Sequence, residues 1–260
     1  MSQPYDADNL LDRHSEPARL QLHYDHEERR EHALLERRLG LSGVEVLSVG
    51  CGWHPGRHLF AAPGWRMTGV DTEPAMIDHL LASGEIDAGR PGRAGALEFP
   101  SASFDVVLYR LVLHHIAFQA PLAPVFAEAA RLLRPGGALV AIEPGLWHPV
   151  GAALGLANRA GLGTPIHGTP DDIPLSPKLL AREASAAGLE PELHAVTFGW
   201  RRLPRLVQRA LHRVDPLGSR RRLAPFGHTL MLIARRSSVS GMPKLGASTG
   251  PPTGFQPSRS

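Results

Sequence analysis

Three glycines, Gly50, Gly52 and Gly56, follow an apolar run at residues 44–50 and form the first candidate binding site of the chain. The run VEVLSVG is typical of a buried parallel strand, and the glycines after it indicate a sharp turn. Glycine adopts backbone angles that other residues avoid and lets a ligand approach the main chain. A helix after the turn would direct free N–H groups at a bound polar group. The pattern alone also fits a structural turn without a ligand.

The next predicted strand, residues 66–71, ends at a second candidate binding residue, Asp71. It lies 19 residues after Gly52, where a carboxylate can accept hydrogen bonds from both hydroxyls of a ribose. Alternatively, Asp71 assists the start of the following helix, in which we predict Thr72 as N-cap and Pro74 in the first turn. These features fit a nicotinamide-dependent oxidoreductase as well as other nucleotide-binding proteins.

Strands and helices alternate around these residues. Strands are predicted at residues 44–50, 66–71, 104–110, 137–144, 193–199 and 228–236. Helices are predicted at residues 14–40, 72–84, 121–137, 150–160 and 175–189. This alternation predicts an α/β fold with a doubly wound, mostly parallel sheet, whose ligand lies beyond the carboxyl ends of the strands.

The bulk properties of the 260 residues are those of a globular protein with one large domain. No apolar run reaches the roughly 18 residues that span a bilayer. The start is polar and acidic, so we predict no secretory signal and a cytoplasmic location. The single cysteine, Cys51, excludes an internal disulfide and a cysteine-based zinc cluster.

The predicted organisation has three parts. Residues 1–43 form an N-terminal arm and a helical lid. Residues 44–236 form the main domain, with insertions at 145–174 and 200–224. Residues 237–260 are rich in Ser, Gly and Pro and are expected to be disordered.

Two downstream segments carry a family resemblance. GALEFPSASFDVVLYRLVLHHI (95–116) and RLLRPGGALVAIEPG (131–145) resemble class I S-adenosylmethionine-dependent methyltransferases of the small-molecule, ubiquinone/menaquinone-methyltransferase-like group. The resemblance implies a seven-stranded Rossmann-like methyltransferase fold with an antiparallel last strand, and S-adenosyl-L-methionine as cofactor. It implies methyl transfer to a small molecule, with a nicotinamide-dependent oxidoreductase or a non-catalytic methyltransferase-like binding protein as alternatives.

The resemblance also assigns cofactor contacts. The glycine loop would pass under the methionine part, Asp71 would hold the ribose, and Arg110 would lie near the methionine end or the substrate mouth. The pair Arg93 and Ala94 would flank the adenine. The full set is Gly50, Cys51, Gly52, Trp53, Gly56, Asp71, Thr72, Arg93, Ala94 and Arg110.

Three positions depart from the family pattern. Ser48 stands where an acidic residue is usual, and residues 53–55, Trp-His-Pro, lengthen the loop. Arg93 stands near the adenine, where the family often has an acid. Because arginine cannot accept a hydrogen bond from the adenine amino group, backbone groups would have to do so.

His114, His115 and His148 are the candidate catalytic residues. A sulfonium methyl group is already activated, so the enzyme mainly aligns the acceptor and excludes water. A base is needed only where the acceptor carries a proton of high pKa, a task that suits histidine near neutral pH. The resemblance places these residues and Glu143 on the substrate side, while packing or local hydrogen bonding is the alternative for each. The acceptor atom (O, N, C or S) stays open.

The N-terminal histidines, His23, His26 and His32, do not form a compact ligand set in the sequence, and we predict no metal site. We interpret them as part of a solvated helix. The helix itself is expected to act as a lid, with Tyr24 closing over the cofactor.

Residues 200–224 are strongly basic although the net charge of the chain is only +3. Eight arginines accompany one acid, Asp215. One face of a predicted helix carries Leu203, Leu206 or Val207, Leu211 and Val214. We weigh three interpretations: a solvated lid helix, a surface for an anionic or carrier-bound substrate, and association with RNA or a membrane. The lack of interleaved aromatic residues disfavours nucleic acid, and no prediction is made for the oligomeric state.

Overall fold

The computed structural model describes residues 18–40, 44–60, 64–161 and 173–238. The predicted arm before residue 18 and nearly all of the predicted disordered tail lie outside these residues. Among the described helices, none combines the length and apolar character needed to cross a membrane.

Seven strands form one sheet in the order β3-β2-β1-β4-β5-β7-β6. They are β1 (Glu45–Val49), β2 (Arg66–Asp71), β3 (Ala88–Pro91), β4 (Phe104–Arg110), β5 (Leu133–Pro144), β6 (Leu189–Thr197) and β7 (Thr229–Arg236). The first five strands pair in parallel, and β7 is antiparallel to both of its neighbours. The predicted fold class is therefore confirmed, including the antiparallel last strand.

Helices cover both faces of this sheet. They are α1 (Ala18–Leu39), α2 (Pro74–Ser83), α3 (Leu113–Gln119), α4 (Ala123–Leu132), α5 (Pro149–Arg159), α6 (Pro177–Ala186) and α7 (Arg205–Val214). Two apolar clusters result, because the central strands are apolar on both faces. One joins Leu34 of α1 and Ile77 of α2 to the sheet, and the other joins Phe126 of α4 and Leu180 of α6 to the opposite face.

The region after the glycine loop differs from the prediction. Residues Arg57–Phe60 form a single 3-10 turn where we expected a helix. Only nine residues separate Gly56 from Arg66, where β2 begins, so the chain has little room for a longer helix. The short strand β3 was not predicted, because its sequence AGRP lacks the β-branched and aromatic residues typical of strands.

The start of α2 corrects a second detail. Its N-cap is Glu73 rather than Thr72, and the Glu73 side chain makes no capping hydrogen bond. Pro74 occupies the first turn as predicted. At the other end Gly84 adopts a left-handed conformation with φ 74°, which ends the helix.

The carboxyl ends of β1, β2, β4, β5 and β6 share one edge of the sheet, and β7 begins there. The carboxyl-terminal half of α1 packs on a sheet face through Leu34, Leu35 and Leu39. Its middle reaches the carboxyl edge, where Arg30 donates hydrogen bonds to the carbonyls of Val196 and Asp215. This edge therefore contains the candidate site.

Candidate functional site

The three glycines of the loop all have positive φ angles, which favour glycine. Gly50 has φ +63°, and a Cβ atom there would lie 2.3 Å from Cγ2 of Val112. Gly56 has φ +84°, and its Cβ would lie 2.8 Å from a Leu108 methyl group. By contrast, Gly52 has φ +47° and no other atom within 4 Å of its Cβ position. The loop is thus packed against Val112, just after β4, at one end and against Leu108 of β4 at the other, and it is open at its middle.

Asp71 joins the end of β2 to this open part of the loop. Its Oδ2 accepts a hydrogen bond from the Gly52 N–H at 2.9 Å, and its Oδ1 accepts one from the Glu73 N–H at 3.1 Å. The side chain is half-buried. Since each carboxylate oxygen can accept more than one hydrogen bond, Asp71 retains capacity for two ligand hydroxyls.

Ser48 and the lengthened loop, two departures from the family pattern, contact each other. The Ser48 hydroxyl is buried and donates to the Pro55 carbonyl at 2.8 Å, so the extra residues fold back over β1. Trp53 meets His79 of α2 edge-on, with ring centroids 5.0 Å apart. Its indole Nε1 is buried and has no hydrogen-bond partner within the described parts of the chain.

The predicted adenine contacts follow β3, whose Pro91 pairs with Asp71. Arg93 is exposed and forms an isolated bridge with Ala96. Ala94 is half-buried against the sheet core, and Thr72 is exposed. These residues lie at the same edge as Asp71, beside the loop.

Arg110, at the end of β4, lies between the loop and α1. Its Nε donates to Oε2 of Glu31 at 3.3 Å, and the side chains are 8% and 2% exposed. The Cβ position of Gly56 is 3.7 Å from its Cδ. Burial alone would raise the pKa of Glu31, but Arg110 and His58 hold it below its usual value. Arg110 is therefore a buried cation that α1 neutralises.

Glu27 is a second carboxylate of α1 that is largely shielded from solvent, with its side chain 14% exposed. It accepts a hydrogen bond from the hydroxyl of Thr229 at the start of β7. Burial, reinforced by the nearby Glu31 carboxylate, raises its pKa to about 7. His23 lies 3.7 Å away from it, and burial together with the neighbouring His212 lowers the pKa of His23 to about 4.

Our interpretation of the N-terminal histidines as part of a solvated helix was therefore wrong for His23, which is 2% exposed, whereas His32 is exposed. His23 and Glu31 are buried, and with the mostly buried Glu27 between them they extend, at spacings of four, the face that Leu34 and Leu35 begin. That periodicity was a usable signal in the sequence. We missed it because charged residues rarely lie fully buried.

Glu143, near the end of β5, and His114, at the start of α3, form a buried pair. The Glu143 carboxylate accepts from the Val112 N–H at 2.9 Å, the Leu113 N–H at 2.7 Å and His114 Nδ1 at 2.5 Å. These bonds hold the start of α3, next to Leu111 with its unusual φ of +55°. His114 is 4% exposed and therefore positions this turn.

His115, half-buried, adjoins this pair. Its ring centroid lies 4.1 Å from that of His114. The strained turn at Leu111 between these side chains and the loop is typical of functional sites.

His148 is the N-cap of α5. Its Nδ1 accepts from the Val150 N–H, so the proton is on Nε2, which donates to the Phe198 carbonyl; both distances are 3.2 Å. Burial lowers its pKa. Because both ring nitrogens have backbone partners, His148 holds α5 against the end of β6.

An apolar cavity of about 530 Å³ adjoins His148. It lies beyond the carboxyl ends of β5 and β6, from which His148 and Phe198 follow. Its lining consists of His148, Pro149, Val150, Phe198, Leu203, Leu211, Val214, Leu217, Leu223 and Phe226. The insertion at 200–224 thus contributes five of these ten residues, Leu203, Leu211, Val214, Leu217 and Leu223.

The same insertion brings His26, His212 and Asp215 together, with potential metal-ligand atoms within 4.8 Å. The sequence analysis considered only the N-terminal histidines and did not predict that these three residues lie together. However, the two imidazole rings stack with an interplanar angle of 9° and centroids 3.7 Å apart. One ion cannot lie in both ring planes, and Asp215 already accepts bonds from Thr197 and the Phe198 N–H. We interpret the set as an attachment of the insertion to α1.

Comparison with known proteins identifies the domain that carries the loop. Residues 47–141 match the family model described as methyltransferase domain. A relative from Mycolicibacterium smegmatis, named a probable S-adenosylmethionine-dependent methyltransferase, is 34% identical over 117 residues, which are 44% of each protein. The demethylmenaquinone methyltransferase of Tropheryma whipplei is 33% identical over 41% of this chain and 45% of that protein.

A solved structure from Thermotoga maritima, described as an S-adenosylmethionine-dependent methyltransferase and possible histamine N-methyltransferase, shares the fold. Its TM-score is 0.58 at 15% identity, over 83% of this chain and 92% of that chain. The resemblance to class I methyltransferases is confirmed. The chain matches less than half the length of the curated relatives, and the insertion at 200–224 lies outside the matched family segment.

The geometry of the segment that matches the methyltransferase model fits S-adenosylmethionine, the cofactor that the resemblance implies. The open space at Gly52 admits a ligand against the main chain, and Asp71 offers acceptors for ribose hydroxyls beside it. Arg110 lies at the far end of the loop, near Gly56. These observations favour a retained cofactor site despite the unusual loop.

Proposed function

We propose that this chain is an S-adenosylmethionine-dependent methyltransferase that acts on a small-molecule acceptor with an apolar body. The observation that carries the proposal is the Asp71 carboxylate, bonded to the open Gly52 loop inside the segment that matches the methyltransferase family. The cytoplasmic location stays a prediction.

S-adenosylmethionine, when bound, supplies a methyl group activated by its positive sulfonium. Asp71 would accept hydrogen bonds from the ribose hydroxyls, while the main chain at Gly52 would contact the rest of the nucleoside. Arg110 and the α1 carboxylates would close the methionine end. Positioning of the two reactants and exclusion of water would supply most of the rate enhancement.

The cavity beside His148 supports an apolar acceptor. Its walls are aliphatic and aromatic, and it lies at the edge of the sheet that carries the cofactor loop. Pockets of a few hundred cubic ångströms lined in this way bind small organic ligands with a few polar groups for orientation. The exposed Arg213 and Arg222 neighbour the lining residues Val214 and Leu223 in the sequence and are compatible with a negatively charged or carrier-bound acceptor.

Glu27 is the best candidate proton acceptor. A base works best when its pKa is close to the working pH, and burial brings the pKa of Glu27 to about 7. It lies at the carboxyl edge against Thr229, near Arg110. His114 bonds to Glu143, and His148 bonds to backbone groups at both ring nitrogens, so positioning roles suit both residues better. His115 stays a proposed substrate-side residue.

Isothermal titration calorimetry with S-adenosylmethionine, S-adenosylhomocysteine and NAD tests the cofactor part of the proposal. We expect both sulfur compounds to bind and NAD not to bind. Asp71→Asn should weaken binding, whereas Asp78→Asn on the exposed side of α2 serves as a matched control. A folded protein that binds neither sulfur compound would overturn the proposal, and binding of NAD alone would favour the oxidoreductase.

A further inference from the structure

Helix α7 has the reverse of the usual polarity for a surface helix. Gln208 is fully buried and His212 is half-buried. On the solvent side, Leu206 is 78% exposed, Val207 is 44% exposed and Val214 is 42% exposed. A helix that only covers the domain would bury its apolar stripe instead.

Specific hydrogen bonds hold this orientation. The Gln208 amide nitrogen donates to the carbonyls of Arg201 and Leu203 at 2.8 and 2.9 Å. Asp215, fully buried after the helix, accepts from Thr197 and from the Phe198 N–H. Because the polar side is fixed inward at both ends, the apolar side must face outward.

The exposed apolar surface continues beyond α7. The 3-10 turns Asp215–Ser219 and Ala224–Phe226 follow it and contribute Leu217, Leu223 and Phe226, which are 36%, 37% and 49% exposed. We call this surface, with the outward side chains of α7, the apolar face. Contiguous exposed apolar patches of this kind mark interaction sites.

Arginines surround the apolar face. Those with exposed side chains are Arg202, Arg205, Arg209, Arg213, Arg220, Arg221 and Arg222. The single acid of residues 200–224, Asp215, is buried, so it does not neutralise the outer surface. Along α7, Arg205, Arg209 and Arg213 recur every four residues and form one flank of the helix.

We propose that the apolar face docks this protein on the surface of an anionic lipid bilayer. Short amphipathic helices with arginine beside exposed leucine and valine lie in the interface of such membranes, where headgroup phosphates attract the cations and the apolar side chains enter the acyl boundary. The absence of a membrane-spanning helix among the described helices is compatible with this peripheral attachment.

Charge complementarity decides against a second copy of the chain. In a two-fold dimer the same patch faces itself, so the exposed arginines of both copies would meet without an exposed acid in residues 200–224 to pair with them. A bilayer with anionic headgroups satisfies the arginines and the apolar side chains together.

The docking surface also contains the mouth of the cavity. Leu217, Leu223 and Phe226 belong to both the apolar face and the cavity lining. A membrane-dissolved acceptor could therefore enter the cavity from the bilayer. The docking itself does not rest on the proposed function, since vesicle binding needs neither cofactor nor acceptor.

Vesicle flotation of the full chain tests the docking. We expect the protein to float with vesicles of phosphatidylcholine containing about a third phosphatidylglycerol, and to bind pure phosphatidylcholine at least about tenfold less. Binding should fall in about 1 M salt, where the Debye length is about 3 Å. Equal binding to both vesicle types, or no binding to either, would overturn the proposal.

Matched substitutions locate the contact. The pair Leu206→Ser and Val207→Ser, and separately the pair Arg209→Glu and Arg213→Glu, should each reduce vesicle binding about tenfold or more. Leu81→Ser on α2 and Arg66→Glu at the start of β2 are controls, since both side chains are exposed on other parts of the domain. Equal losses in the controls would overturn the assignment.

Further measurements distinguish lipid binding from self-association and from RNA binding. Unchanged circular dichroism and S-adenosylmethionine affinity would show that the variants are folded. Sedimentation velocity without lipid should give a monomer; a dimer that Leu206→Ser dissociates would overturn the proposal in favour of self-association. Flotation abolished by ribonuclease would overturn it in favour of bound RNA.

Discussion

At the scale of single residues, Asp71 orders two backbone segments of the candidate site, and the ribose contact stays a proposal. Its carboxylate orders the turn before α2 by accepting from the Glu73 N–H, and it also ties the Gly52 N–H to the end of β2. The same oxygen atoms face the open part of the loop. A substitution there therefore tests the loop and the ribose contact together.

Asp71→Ala should weaken S-adenosylmethionine binding by about 1–3 kcal/mol, since charge-assisted hydrogen bonds to the ribose would be lost. Calorimetry measures this change, and Asp78→Ala in the same segment should leave the affinity within error. Asp71→Ala with unchanged affinity would contradict the ribose role, even if the thermal stability fell.

Glu27→Gln should change how stability depends on pH. The pKa of Glu27 is raised from 4.5 to about 7 in the folded protein. Its folded state therefore favours the protonated form, and the stabilisation present below pH 4.5 is lost as pH rises through 7. Glutamine avoids this loss, so the variant should gain about 1–3 kcal/mol over the natural chain between pH 5 and pH 8.

Urea unfolding at pH 5 and pH 8 measures this difference. Glu36→Gln, at an exposed position of α1, is the control and should show no pH-dependent gain. If Glu27→Gln changed the free energy of unfolding by the same amount at pH 5 and at pH 8, the raised pKa of Glu27 would be contradicted.

Residue types explain which site residues could be predicted. Gly50 and Asp71 were predictable because a backbone angle or a carboxylate at a strand end restricts the choice of residue. Glu27 was not, because its chemistry comes from burial between α1 and β7, elements that are 202 residues apart at this contact. No local pattern contains that burial.

At the scale of elements, the insertion at 200–224 depends on Asp215. This carboxylate accepts hydrogen bonds from Thr197, from the Phe198 N–H and from His26 at 2.6 to 2.9 Å. It thereby joins the end of β6 to α1 and fixes α7 between them. The inward polar side of α7 follows from this arrangement.

Asp215→Ala should destabilise the protein by about 3–5 kcal/mol, because it leaves buried donors without their charged acceptor. Chemical denaturation measures the loss, with Asp25→Ala, exposed on α1, as the control. A loss below about 1 kcal/mol would show that the insertion is attached by other contacts.

The elements themselves were predicted where hydrophobic pattern alone determines them. β1, β4 and β7 are apolar runs, and the structure places all three in the sheet. β3 and the 3-10 turn at Arg57–Phe60 were not predicted, because pairing with β2 and the short connection to it determine their form. Tertiary context overrides local propensity at these two places.

At the scale of the whole molecule, α1 is held to the sheet by two ion pairs of different character. Arg110 and Glu31 lie 79 residues apart and are almost completely buried. Arg38 and Glu192 are closer, at 2.9 Å, but their side chains are 36% and 46% exposed. Burial rather than distance should decide which pair matters, because solvent screens exposed charges.

A double-mutant cycle compares the two pairs. Glu31→Leu or Arg110→Met alone should cost about 3–5 kcal/mol, since each leaves its partner charged and buried, whereas the double variant should cost much less than their sum. The corresponding cycle for Arg38→Met and Glu192→Leu should give a coupling of about 0–1 kcal/mol. Urea unfolding without cofactor measures both, which keeps any role of Arg110 in cofactor binding out of the result. Equal coupling energies in the two cycles would contradict the view that the buried pair fixes α1 over the site.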